Sequence, residues 1–284
     1  MRTRLDPAVF RLPVQRLRQG YYTDAYFNLA KELLEEEDRH PRVTMQVFQK
    51  GASVLGGIDE AMAVLKECAG RESPDGWELG WDRLEVHALH EGDEIAPHET
   101  VMTIEGDYSL FAHLETVYLG CLARRTLVMG NVREVVEAAR GKPILFFPAR
   151  HDHWLVQTGD GWAAHVAGAI GVSTDAQASW WGGTGIGTVP HALIAAYGGD
   201  TVEASRAFAR RYAPETNVTV LVDFDNDSVR TAIEVADALG DDLWGVRLDT
   251  SERIVDRALW DDMGDFKPTG VNRVLVEKVR AALD

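Results

Sequence analysis

VTVLVDFDNDSVRTAIEVADALGDDLWGVRLDT, residues 218–250, decides how the rest of the chain is read. A short apolar run, 218–224, passes into a segment of helical periodicity, 226–239, and a second apolar run follows at 244–248. Strand, helix and strand in that order predict a βαβ unit, whose strands lie parallel because the helix carries the chain back to its starting end. Both strands close on polar residues: Asp223-Phe224-Asp225 after the first, Arg247-Leu248-Asp249-Thr250 at the second. Arg247 and Asp249 alternate on one strand and therefore share a face. In parallel sheets and barrels the active site gathers at such carboxyl ends.

The same grammar extends towards the N-terminus. Strands are expected at 143–147 and, more weakly, 171–174, with helices at 161–169, 190–197, 201–212 and 271–283. These strands also end in polar residues, Phe147 to His153 and Ser173 to Asp175. A long helical region at 110–140, broken near Met129-Gly130, leads into them. Residues 109–284 thus read as a βα-barrel domain, incomplete because closure usually takes about eight strands. Residues 1–108 read differently, as an N-terminal α+β domain. There an extended lead-in over 1–20 precedes a helix capped near Thr23-Asp24, strands at 43–50, 83–90 and 101–106, a helix at 58–69 and a loop at RESPDG, 71–76.

Between the weak strand and the βαβ unit lies WWGGTGIGTVPHALI, residues 180–194. Its glycines permit positive φ and close approach to a ligand, and Pro190 suits a helix start. His191 then stands at a helix N-terminus, either as a neutral nucleophile beside an anion or as a residue that only caps and packs. Other candidates carry similar alternatives. Arg150 suits bidentate recognition of carboxylate or phosphate. Phe147 and Tyr26 could stack on a flat ligand or serve as packing. Asp223, Asp225 and Asp227 lack the rest of a calcium-loop pattern, and one of them holding Mg²⁺ together with a substrate phosphate is the more natural use. His151 and His153 point to opposite sides of an extended segment, against a shared metal. Arg124-Arg125 reads as structural.

Composition narrows the classes. A net charge of −16 speaks against broad nucleic-acid binding, which needs a basic surface. No apolar run reaches membrane-spanning length and the N-terminus lacks a signal-peptide core, so no membrane association and a cytoplasmic location are expected. Cys68 and Cys121 are distant from each other and are expected as buried free thiols.

Taken in order, several motifs resemble the nicotinate phosphoribosyltransferase family. They are Thr23-Asp24-Ala25-Tyr26, Glu115-Thr116, Phe147-Pro148-Ala149-Arg150, Ser173-Thr174-Asp175, Gly187-Thr188-Val189-Pro190-His191, Val222-Asp223 and Gly245-Val246-Arg247-Leu248-Asp249-Thr250. The likeness covers nearly the whole chain from about Arg16. It implies an α/β fold of the type II phosphoribosyltransferase kind, and formation of nicotinate mononucleotide and pyrophosphate from nicotinate and 5-phosphoribosyl 1-pyrophosphate. Mg²⁺ and coupled ATP hydrolysis come with it, in NAD salvage, as does a homodimer with shared active sites. By the same resemblance Phe147 stacks on the pyridine and Tyr26 reaches it from the other subunit. Arg150 and Arg247 match positions at the nicotinate and phosphoribosyl sites, Asp249 one near the ribose hydroxyls, and His191 the histidine phosphorylated from ATP. Asp175 and Asp223 are expected to line the same cavity. Family members continue past the length of this chain through a phosphate-binding segment. A noncatalytic remnant, or one subunit of a split phosphoribosyltransferase, is therefore the alternative expectation, and nicotinamide or quinolinate are alternative substrates.

Overall fold

The structure is a computed structural model describing residues 3–213, 215–261 and 264–284. The chain divides into two compact units, Met1–Ile186 and Gly187–Asp284. The change of grammar expected at 108/109 coincides with the end of the strand Thr100–Asp107, whereas the units part within the glycine-rich loop.

In the first unit the helix Ala25–Glu36 and the strand Arg42–Phe48 form where expected. That strand pairs antiparallel with Thr100–Asp107, which pairs on its other edge with Glu85–Ala88. Val43, Met45 and Val47 turn inward while Thr44, Gln46 and Phe48 are exposed, the period of two that a one-sided sheet requires. The helix Ile58–Cys68 is buried almost throughout; Ile58, Val64 and Leu65 pack with Phe111, Leu114 and Tyr118 of the following segment.

Three expectations for this unit are corrected. The lead-in is not extended: it forms a 3₁₀ turn, Pro7–Phe10, and a helix, Val14–Arg18. Arg4 holds it down by donating to Asp59 Oδ1 at 2.7 Å and to the carbonyls of Ala88 and Leu89. RESPDG is the tip of a hairpin, Gly70–Ser73 against Gly76–Leu79, closed by Ser73 Oγ donating to Gly76 O at 2.7 Å. Its strands carry no alternating apolar pattern, so only the turn residues were legible. Finally, Glu115–Ala138 runs unbroken for 24 residues. Gly130 serves proximity rather than a break, since a Cβ there would stand 2.9 Å from Ser53 Oγ, on the short strand packed against the helix. Beyond this helix, Leu145–Phe146 and Gly171–Val172 pair in parallel, with the helix Gln157–Ala167 between them.

The second unit confirms the βαβ reading. Val218–Leu221 pairs in parallel with Leu243–Arg247, Val189 bridges to Val220 on the other edge, and Ser228–Leu239 is the crossover helix. Val189, Ile194, Val220, Val222, Val235, Leu259 and Leu275 form a core without solvent contact. Asp256, also fully buried, caps the crossover helix by accepting from Ser228 N at 3.1 Å and Ser228 Oγ at 2.6 Å. The fold is mixed α/β, and among the described residues no barrel closes: the parallel pairs have two strands each. No described helix is long and apolar enough to cross a membrane. Burial pushes the thiols of Cys68 and Cys121 upward, leaving them weak nucleophiles.

Glu91 accepts from the backbone N–H groups of Gly57 and Asp59 at 3.1 and 3.2 Å, capping the helix Ile58–Cys68. Burial, with Asp59 and Glu60 nearby, nevertheless raises its carboxyl to about 7. The unfolded chain holds that proton only to about 4.3. The folded state therefore binds more protons between these values, and stability falls as pH rises through them. Urea midpoints at pH 5 and pH 8 are expected to diverge less in Glu91→Gln than in the wild type, by roughly 2–3 kcal/mol in unfolding free energy. Equal pH dependence in the two proteins would refute the assignment.

Candidate active site

Three chain segments of the second unit run side by side and end together. Past Val189 come Pro190 and His191; past Leu221 come Val222 and Asp223; past Arg247 come Leu248, Asp249 and Thr250. The ladder continues one step, with Val222 N donating to Arg247 O, which carries Asp223 to the rim of the sheet. Its carboxylate is almost wholly buried and its oxygens are shared among the three segments. His191 Nε2 lies 2.7 Å from Oδ1, while Asp249 N donates to Oδ2 at 2.6 Å and Thr250 Oγ1 at 3.1 Å. A buried carboxylate is tolerable only when its acceptors are filled in this way.

The consequence for His191 is geometric. With Nε2 turned to a carboxylate acceptor, a neutral ring carries its proton there and keeps its lone pair on Nδ1. The side chain is 41% exposed, so that nitrogen belongs to a reachable ring, with Phe224 at 6.3 Å between ring centres. The helix His191–Ala196 has only six residues, and the group facing Nε2 of the imidazole is the Asp223 carboxylate. Arg247 Nη2 lies 3.2 Å from Asp249 Oδ2, confirming the shared face, and both side chains are about one-third exposed at the rim. Asp225 and Asp227 turn instead to Arg230, at 3.3 and 3.0 Å. Among the described residues no three or more His, Cys, Asp or Glu side chains form a metal-holding cluster.

In the first unit the adjacent parallel strands Leu145–Phe146 and Gly171–Val172 likewise bring Phe147-Pro148-Ala149-Arg150 and Ser173-Thr174-Asp175 to one end. Phe147 is half-buried. Arg150 is exposed in the 3₁₀ turn Ala149–His151 and makes no ion pair among the described residues. Asp175 Oδ1 accepts from Gly185 N at 2.8 Å, tying down the glycine-rich loop. Gly185 is required there, because a Cβ would meet the Thr174 backbone at 2.8 Å. Tyr26 is 62% exposed on the helix Ala25–Glu36, its ring against Phe27. Its hydroxyl is held above the usual range by desolvation and by Asp24 and Glu115. His153 Nδ1 accepts from Leu155 N, a turn cap and no ligand position.

An ionic chain that the sequence reading missed lies next to the Arg150 turn. Asp160 takes both Nε and Nη2 of Arg124, at 3.0 and 2.7 Å, together with Arg125 Nη1 at 2.9 Å. Arg125 also donates to Glu60, and Arg124 reaches Asp152. The available signal was Gly159-Asp160-Gly161 inside a helix. A Cβ on Gly159 would overlap the Arg125 guanidinium, and one on Gly161 would lie 2.2 Å from Gln177 O.

Comparison with known proteins places the fold in a class. The nicotinate-nucleotide pyrophosphorylase from Pyrococcus furiosus superposes with a TM-score of 0.78 at 31% identity, over 96% of this chain and 64% of that one. Human nicotinic acid phosphoribosyltransferase shares the fold, with a TM-score of 0.65 at 17% identity over 81% of this chain and 61% of that one. The architecture is thus that of the type II phosphoribosyltransferases. A family model described as quinolinate phosphoribosyl transferase, N-terminal domain, matches residues 24–126. Nicotinate phosphoribosyltransferases pncB1 and pncB2 of Mycobacterium tuberculosis are 30% and 31% identical over 175 and 176 residues, which is 60% and 59% of this chain. The chain spans 39% and 36% of those two relatives. Its matches thus fall among the phosphoribosyltransferases that act as nicotinate and quinolinate enzymes, and it is similar to that group over part of their length.

Asp223→Ala would leave the Asp249 N–H, the Thr250 hydroxyl and the His191 ring without their shared acceptor. It is expected to destabilise the protein by about 2–4 kcal/mol in denaturant unfolding, and Asp223→Asn, which keeps one acceptor oxygen, by less. An alanine variant as stable as the wild type would remove Asp223 from its structural role.

Proposed function

We propose that the chain acts as a nicotinate phosphoribosyltransferase, joining nicotinate to 5-phosphoribosyl 1-pyrophosphate with release of pyrophosphate, coupled to ATP hydrolysis in NAD salvage. The observation that carries this reading is Asp223 holding His191 through Nε2 while organising the Asp249-Thr250 turn. Nδ1 can then attack the γ-phosphorus of ATP as ADP departs, and water later releases phosphate. A phosphohistidine so placed adds negative charge beside Arg247 and Asp249 and biases the rim between two states.

For the transfer itself, Phe147 orients the pyridine ring by stacking and Arg150 pairs with its carboxylate. Arg247 takes the phosphoribosyl group and Asp249 the ribose hydroxyls. As pyrophosphate leaves, positive charge grows on the ribose carbon and the pyridine nitrogen closes in line with it, so positioning and charge compensation supply the catalysis. Mg²⁺ ordinarily rides on substrate phosphates with one or two protein carboxylates. That suits a rim offering Asp249, and when bound the ion supplies charge neutralisation of the leaving group.

The proposed homodimer is supported by the outer face of the helix Ala25–Glu36. Tyr26, Leu29 and Leu33, spaced for one face, are 62%, 63% and 55% exposed. In a dimer this stripe is covered and Tyr26 is delivered to the neighbour's Phe147. A cytoplasmic location fits the substrates. The match of residues 24–126 to the quinolinate family model favours one second reading, quinolinate in place of nicotinate.

Incubation with nicotinate, 5-phosphoribosyl 1-pyrophosphate, Mg²⁺ and ATP is expected to yield nicotinate mononucleotide, with quinolinate and nicotinamide failing to compete. Turnover of quinolinate alone would transfer the assignment to the second reading, and a folded protein inert towards all three would defeat both. Label from γ-phosphate-labelled ATP is expected on the wild type and absent from His191→Ala; persistent labelling would exclude His191 as acceptor. Leu29→Glu combined with Leu33→Glu is expected to convert a dimer to a monomer in sedimentation equilibrium. An unchanged mass would place the subunit contact elsewhere.

A further inference from the structure

The turn that presents Arg150 has little beneath it. A cavity of about 200 Å³ is lined by Val128 and Val132 of the long helix and by Pro148, Ala149 and His151 of the turn itself. Side-chain packing between the turn and the helix is therefore incomplete. Two neutral hydrogen bonds contribute, His151 N to Pro148 O at 2.8 Å within the turn and Gln157 Nε2 to Ala149 O at 3.3 Å. The ionic tether is Asp152, two residues past Arg150, which takes Arg124 Nη2.

Arg124 is itself unable to swing. Its Nε and Nη2 form a bidentate pair with the buried Asp160, whose Oδ1 is also taken by Arg125, and Arg125 is anchored in turn by Glu60. The guanidinium thus has one orientation, set by two helices, and Asp152 must come to it. Arg124 holds the Asp152 carboxyl below its ordinary range, which favours the ionised form of the tether.

We propose that Arg124 is a positioning residue: by holding Asp152 it fixes the turn carrying Arg150, and so sets the affinity for the anionic ring substrate. This deepens the reading of Arg150 given above and rests on it. Arg124 contacts no substrate in this scheme. Its effect falls on the geometry of the initial complex, hence on KM more than on kcat.

Asp152→Asn is the cleanest variant, because its side chain is 54% exposed and its loss leaves no buried charge. Amide exchange over residues 149–156 is expected to quicken about tenfold in Asp152→Asn and in Arg124→Ala, with the melting temperature of Asp152→Asn unchanged. KM for nicotinate is expected to rise roughly tenfold while kcat stays within about threefold. Arg124→Lys, which keeps the charge and loses the fork, is expected to fall between. If Asp152→Asn matched the wild type in exchange and in KM, the inference would be overturned, whether or not Arg124→Ala folds. Should the wild type form no nicotinate mononucleotide, the proposed reaction fails separately, and the exchange rates of Asp152→Asn alone decide whether the tether exists.

Discussion

One buried carboxylate governs the second unit. Asp223 lies at the end of its strand, almost without solvent contact, and an ionised group in that position is costly unless its lone pairs are used. Three donors from two other segments use them: the His191 ring, the Asp249 backbone and the Thr250 hydroxyl. Satisfying Asp223 therefore aligns the ends of the segments at Val189, Leu221 and Arg247. The interaction that removes a folding liability is the same one that orients the imidazole.

The first unit meets the same liability with a different device. Asp160 lies inside a helix packed against another helix, and its charge is met by two adjacent arginines rather than by strand-end donors. Room for the Arg125 guanidinium comes from Gly159, and room for the Gln177 backbone from Gly161. Gly159 and Gly161 flank the aspartate, and a Cβ on either would collide with Arg125 or with the Gln177 backbone. A buried ion pair of this kind adds little net stability, because desolvation offsets attraction. What it contributes is direction: Arg124 leaves the network with a single orientation, aimed at Asp152.

How far these features are legible from sequence follows the range of the interaction. The βαβ unit at 218–250 was legible because strand and helix periods alternate within one short stretch, and Arg247 with Asp249 because strand alternation is a local rule. The polar strand ends led to Asp223, Asp175 and Arg150 for the same reason. The glycines misled where they act at a distance. Gly130 suggests a helix break until Ser53, far away in the chain, is seen against it. Arg124 and Arg125 looked structural because their partners, Glu60, Asp152 and Asp160, come from three other segments. The antiparallel hairpin at 70–79 escaped because its strands carry no apolar alternation. The partition of Asp225 and Asp227 to Arg230, away from Asp223, depended on backbone direction after the strand, which composition does not encode.

The distribution of cations completes the picture. In a chain of net charge −16, arginines are readily drawn into ion pairs, as Arg124, Arg125, Arg230 and Arg247 are. Arg150 is among the arginines with no ion pair among the described residues, and it stands exposed at a strand end. A guanidinium left unneutralised on an acidic protein attracts small anions that the rest of the surface repels, and it loses little water when one arrives. Asp152, two residues further on, is engaged by Arg124. That pair ties the turn carrying Arg150 to the long helix.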